Sequence, residues 1–161
     1  MMKLRAGFWL VTLGFCVYWA LAVLGRERAE VLLIGGALLA PLLPYGRQRR
    51  WLLLAAPLGM AMDAAWHYAG VVAYVSQPAL PLWAGALWLT FSCWWYWLLP
   101  QLQSTLMALA VAGAIGGPLT GLAGWQLQAI TPGIAPQLML LVLSASWAVY
   151  LPLISYPLLK R

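Results

Sequence analysis

Asp63 and His67 are the residues of this chain whose types and spacing could do chemistry. They stand four apart in Trp51–Val75, a segment otherwise dominated by apolar residues. Four residues is about one helical turn, so the two side chains share a face and lie within hydrogen-bonding reach. A carboxylate near the middle of a bilayer costs about 2.5–3.5 kcal/mol on insertion scales, so this face turns inward, toward other helices. The pair could bind a proton or the polar group of a ligand. It could equally be a structural node, with Asp63 neutral or hydrogen-bonded to His67 or to Tyr or Trp donors. One Asp and one His are too few to hold a metal, and the chain has a single histidine, so no metal is expected. Ser92, Ser104, Ser144, Ser146 and Ser155 supply hydroxyls, but none stands in a nucleophile-elbow context. No catalytic residue and no cofactor is assigned, and the reading leans away from an enzyme.

Other patterns surround the pair. Gly59 and Gly70 share roughly its face and would let a neighbouring helix approach closely. Gly113, Gly117 and Gly121 recur every four residues, a flat stripe for helix packing, widened by Gly116 and Gly124. Pro118 interrupts that segment, removing one backbone donor and freeing a carbonyl a turn earlier. The stretch could be a kinked packing seam or a broken segment lining a cavity. Trp83, Trp88, Trp94, Trp95 and Trp97 form either an interfacial aromatic belt or a pocket for a lipid head or acyl chain.

The elements that must position these groups are transmembrane helices. From Ala64 to Leu159 there is no Asp, Glu, Lys or Arg, which no soluble surface could tolerate. Hydrophobic residues make up 65% of the 161, well above the roughly 45–50% of soluble domains. At about 20 residues per crossing the chain holds about six spans in a single integral-membrane domain covering residues 1–161. The spans are expected at about 6–24, 29–45, 51–75, 81–99, 103–128 and 136–159. The fold class is therefore all-α, a polytopic helical bundle. The first span resembles a signal peptide but is too long and too aromatic, and is read as uncleaved. Turns are expected at Ser76-Gln77-Pro78 and Thr131-Pro132-Gly133.

Basic residues orient the bundle. Lys3, Arg5, Arg47, Arg49, Arg50, Lys160 and Arg161 fall on one side, and Arg26 and Arg28 on the other, which puts both termini in the cytoplasm. A net charge of +6 spread over short segments suits anionic lipid and makes a poor nucleic-acid surface. Cys16 and Cys93 both fall within spans and form no redox motif. Pro100-Gln101 and Pro136-Gln137 hint weakly at an internal repeat of the kind found in small transporters.

Three groups of residues come in a recognisable order: Gly59-Met60-Ala61-Met62-Asp63; then Leu80-Pro81-Leu82-Trp83 with Leu87-Trp88 and Phe91; then Gly113-Ala114 with Gly117-Pro118-Leu119 and Ala123-Gly124. Over nearly its whole length the chain resembles the bacterial inner-membrane family catalogued as domain of unknown function 2878. That resemblance implies a small polytopic inner-membrane protein and, because family members look like neighbours of lipid-modifying genes, a role in membrane lipid modification or handling. Asp63 matches the family's acidic position, whereas His67 matches no family feature and the aromatic run 94–97 stands where the family pattern is less aromatic.

The resulting expectation is a protein supporting membrane lipid metabolism or envelope homeostasis. It would bind lipid or a small hydrophobic ligand in a cavity lined by the third, fourth and fifth helices. A small proton-coupled transporter using Asp63, an intramembrane enzyme, and a scaffold for a peripheral lipid-modifying enzyme are the alternatives. The expected partners are membrane lipids and no nucleic acid.

Overall fold

The computed structural model describes residues 7–75 and 79–159. Lys3, Arg5, Lys160 and Arg161 and the turn at Ser76-Gln77-Pro78 lie outside the described residues. The chain divides into two compact units, Met1–Pro57 with Leu82–Gln103, and Leu58–Pro81 with Ser104–Arg161.

Unit 1 is built from α1 (Phe8–Gly25), α2 (Glu30–Leu39), the single-turn α3 (Arg47–Arg50) and α5 (Leu82–Leu98). A tight turn at Arg26–Ala29 separates α1 from α2, and Pro41 shapes a second one at Ala40–Leu42. α1 and α2 meet through Tyr18, whose hydroxyl donates to the carbonyl of Leu33 at 2.6 Å. Gly36 is glycine because a Cβ there would come within 2.8 Å of the Tyr18 ring. α5 packs against both α1 and α2 and is the interior helix of this unit.

Unit 2 holds most of α4 (Leu52–Tyr68), then β1 (Val72–Tyr74), α6 (Leu106–Gln126), β2 (Ile130–Pro132) and α7 (Pro136–Leu159). Thr105 caps α6 by accepting the Ala108 amide proton, and Pro136 opens α7 where a missing amide proton costs nothing.

The third span was expected to run to Val75, and this is corrected. Gly70 adopts φ +72, Val71 N–H donates to the Trp66 carbonyl and Gly70 N–H to the His67 carbonyl. These are the two bonds of a Schellman cap, and they end α4 at Tyr68. α6 ends the same way, with Ala129 N–H on Gly124, Gln128 N–H on Trp125, and Gln128 in the left-handed region at φ 58. Each cap releases its chain into a three-residue strand. The strands pair antiparallel, Val72 opposite Pro132 and Tyr74 opposite Ile130, so the ends of α4 and α6 share one side of unit 2. Apart from this small ribbon, the regular secondary structure of the described residues is helical.

Among the described residues, three stretches are long and apolar enough to cross a membrane: Phe8–Leu42, Leu106–Gln126 and Pro136–Leu159. α4 and α5, at 17 residues each, sit at the lower limit of about 17 for a crossing. Large apolar side chains project outward along these helices, among them Leu10, Val31, Leu32, Leu53, Met107 and Leu141. Faces of this kind suit lipid rather than water.

Candidate functional site

α4 carries Asp63 five residues before its last turn ends, so the carboxylate stands about 7.5 Å along the axis from Tyr68. It lies in the C-terminal third of the helix, nearer the ribbon than the segment Trp51–Val75 had suggested. Asp63 is only 8% exposed, and Tyr74, 7% exposed, donates its hydroxyl proton to the Asp63 Oδ2. This satisfies one oxygen of a buried carboxylate, which would otherwise carry the full cost of desolvation. The His67 ring lies 6.1 Å from the Tyr74 ring and 5.4 Å from that of Tyr68. Tyr74 thus touches Asp63 and neighbours His67.

Trp66, one turn from Asp63, fixes α4 to α7. Its Nε1 donates to Ser146 Oγ at 3.1 Å, and Ser146 in turn donates to the Val142 carbonyl at 2.7 Å. Beside this link the ribbon and helix ends close over an apolar cluster of Val72, Met139 and Leu143, with Trp66, Trp125 and Ile130 packed against it.

The glycine stripe lies against α7. A Cβ on Gly113 would overlap the carbonyl oxygen of Trp147, one on Gly117 the Trp147 indole, and one on Gly121 the Leu143 side chain. The close approach brings Ser144 Oγ to 2.7 Å from the carbonyl of Ala114. That carbonyl is the one Pro118, four residues on, leaves without its helical donor. α6 stays continuous through Gly116-Gly117-Pro118, so this segment is a packing seam. Gly59 is buried on α4. Gly70 is no helix-packing residue, because it lies beyond the helix and a Cβ there would meet nothing within 4 Å. Its carbonyl is instead crowded against Gly133, where any Cβ would overlap it.

The tryptophans fall elsewhere. Trp83, Trp88 and Trp95 are buried inside unit 1, and Trp94 and Trp97 are half-buried. Trp94 stacks on Phe15 at 4.5 Å and 6° and donates to Thr12 at 3.3 Å, while Trp83 donates to Glu27 at 3.3 Å. The belt reading is corrected for the three buried ones. α5 is enclosed by its own unit, so its aromatics pack against α1 and α2 as core.

Two hydrogen-bonding side chains are not singled out by the sequence. Tyr74 was counted as part of the third helix, although Gly70 in the left-handed region is the signal that the chain turns before it. Ser144 was weighed only as a nucleophile, although a carbonyl freed by Pro118 calls for a hydroxyl from a neighbouring helix.

The family model described as Protein of unknown function (DUF2878) matches residues 8–153. The chain belongs to this family. The DUF2878 match takes in α1 through most of α7, and with it Asp63, Tyr74, the glycine stripe and both strands. No curated protein and no solved structure matches this DUF2878 member.

Proposed function

We propose that this chain is a multi-pass protein of the bacterial inner membrane that binds an amphipathic ligand beside Asp63. The ligand is a lipid or small hydrophobic molecule, and the role is support of membrane lipid metabolism or envelope homeostasis. In this reading the chain crosses six times with both termini in the cytoplasm. The observation that carries the reading is the buried Asp63–Tyr74 hydrogen bond beside an apolar cluster at one end of unit 2. A carboxylate held by a phenol can exchange that donor for a hydroxyl, amide or amine on a ligand head. The aliphatic and aromatic side chains next to it suit the apolar remainder. Asp63 lies toward the end of α4, which favours a ligand head at the level of the membrane surface over a mid-bilayer transport site.

The test is native mass spectrometry with lipid analysis of the protein purified in mild detergent. A specific lipid retained by the parent should be retained roughly tenfold less by Asp63→Asn, a loss of about 1.4 kcal/mol. Identical lipid profiles for the two proteins would contradict the proposal.

The placement of the His67 ring beside Tyr74 favours a second reading, a proton relay from Asp63 through the phenol to the imidazole. In liposomes with an imposed pH gradient, this reading requires proton flux in the parent and none in Tyr74→Phe.

A further inference from the structure

Three of the four residues of α3 are arginines, Arg47, Arg49 and Arg50, and all three are exposed. No acidic residue occurs in the sequence between Glu30 and Asp63. Both flanks are suited to a membrane surface. Leu42 and Tyr45 are 71% and 55% exposed before the arginines, and Leu53 is 85% exposed after them. The other basic pair of the described residues, Arg26 and Arg28, is built differently, since Glu27 and Glu30 are interleaved with it.

We infer that α3 and its flanks form a binding site for the phosphodiester head of an anionic glycerophospholipid. Arg47 and Arg50 are three apart on a single helical turn, so their guanidinium groups emerge on neighbouring faces. A guanidinium presents a planar fork of donors that fits phosphate oxygens in pairs. The exposed Leu42, Tyr45 and Leu53 flank the charges along the chain and offer apolar and amphipathic contacts to the acyl chains and glycerol region of a bound lipid. A zwitterionic head cancels its phosphate with its own ammonium group and is the weaker ligand. The Asp63 site plays no part in this binding.

The experiment titrates delipidated full-length protein in detergent with phosphatidylglycerol or phosphatidylethanolamine and counts bound lipid by native mass spectrometry. The parent should bind phosphatidylglycerol in preference. Each arginine near a lipid surface contributes roughly fivefold in affinity, so R49Q should weaken phosphatidylglycerol binding by about fivefold. The triple variant R47Q/R49Q/R50Q should weaken it by roughly a hundredfold, with phosphatidylethanolamine binding unchanged in both. The variant R26Q/R28Q removes comparable charge elsewhere and should bind as the parent does. An equal loss in R26Q/R28Q would show that total charge alone governs binding and would overturn the inference. So would displacement of phosphatidylglycerol by millimolar inorganic phosphate, which would mark a free-phosphate site. Unchanged binding in R49Q and in the triple variant would overturn it outright.

Discussion

Tyr74, on a three-residue strand, donates a hydrogen bond to Asp63, on the helix that precedes it. The Schellman cap at Gly70 makes this possible by reversing the chain so that β1 returns beside α4. Removing the phenol leaves the buried carboxylate short of a donor, a loss of about 1–3 kcal/mol. Tyr74→Phe should therefore lower the Tm of the detergent-solubilised protein, and Asp63→Asn, which keeps the shape and an acceptor, should lower it less. A Tyr74→Phe variant that melts with the parent would show that the bond contributes nothing to stability.

Gly117 and Gly116 are neighbours with opposite surroundings. A Cβ on Gly117 would overlap the Trp147 indole, whereas one on Gly116 would meet nothing within 4 Å. Gly117→Leu should destabilise by about 1–3 kcal/mol through overpacking, and Gly116→Leu should melt close to the parent. Equal melting of the two variants would dissolve the seam between α6 and α7.

Ser144 donates to the Ala114 carbonyl that Pro118 leaves open. Ser144→Ala should cost about 0.6 kcal/mol and no more than about 1.7, the average and the maximum measured for hydrogen bonds between membrane helices. In a Pro118→Ala background the amide of residue 118 can take that carbonyl, so the same serine change should cost less. A double-mutant cycle with no coupling would show that serine and proline act independently.

Pairing of β1 with β2 puts the ends of α4 and α6 on one side of unit 2, as the proposed six crossings require of them. Single cysteines at Glu27 and Thr131, in a background lacking Cys16 and Cys93, should react with an impermeant thiol reagent in spheroplasts whose inner membrane is intact. A cysteine at Gln48 should react only after lysis. Labelling at Gln48 but not at Glu27 would reverse the proposed orientation.

Much of this architecture was legible because hydrophobic run length and proline or glycine punctuation are local signals. The last helix, Pro136–Leu159, begins at a proline suited to a first helical position and carries no charge to interrupt it. The Gly113, Gly117 and Gly121 spacing likewise reads directly as a packing face. The third segment was misread because Val71-Val72-Ala73-Tyr74-Val75 is as apolar as a helix, and periodicity alone does not separate a buried strand from a helix end. Its pairing partner, Ile130–Pro132, is more than fifty residues away and leaves no local trace. The tryptophans of α5 were misplaced for a related reason. Composition cannot say whether an aromatic run faces lipid or neighbouring helices, and burial of Trp83, Trp88 and Trp95 follows from the packing of α5 on α1 and α2. Asp63 stands out as a lone carboxylate in an apolar run, but the donor Tyr74 lies on that strand, which the sequence does not reveal.

A ligand held beside Asp63 and Tyr74 is the centre of the proposed function, and site-resolved photolabelling tests it directly. The parent protein is reconstituted with the total lipid extract of its membrane, doped with a phospholipid carrying a diazirine close to the head, then irradiated and digested. Crosslinks should concentrate in the peptides holding Trp66–Tyr74 and Ile130–Leu143 and fall roughly tenfold in Asp63→Asn. Crosslinks spread evenly over the outward faces that carry Leu32, Leu53 and Met107, and unaltered by that substitution, would contradict it.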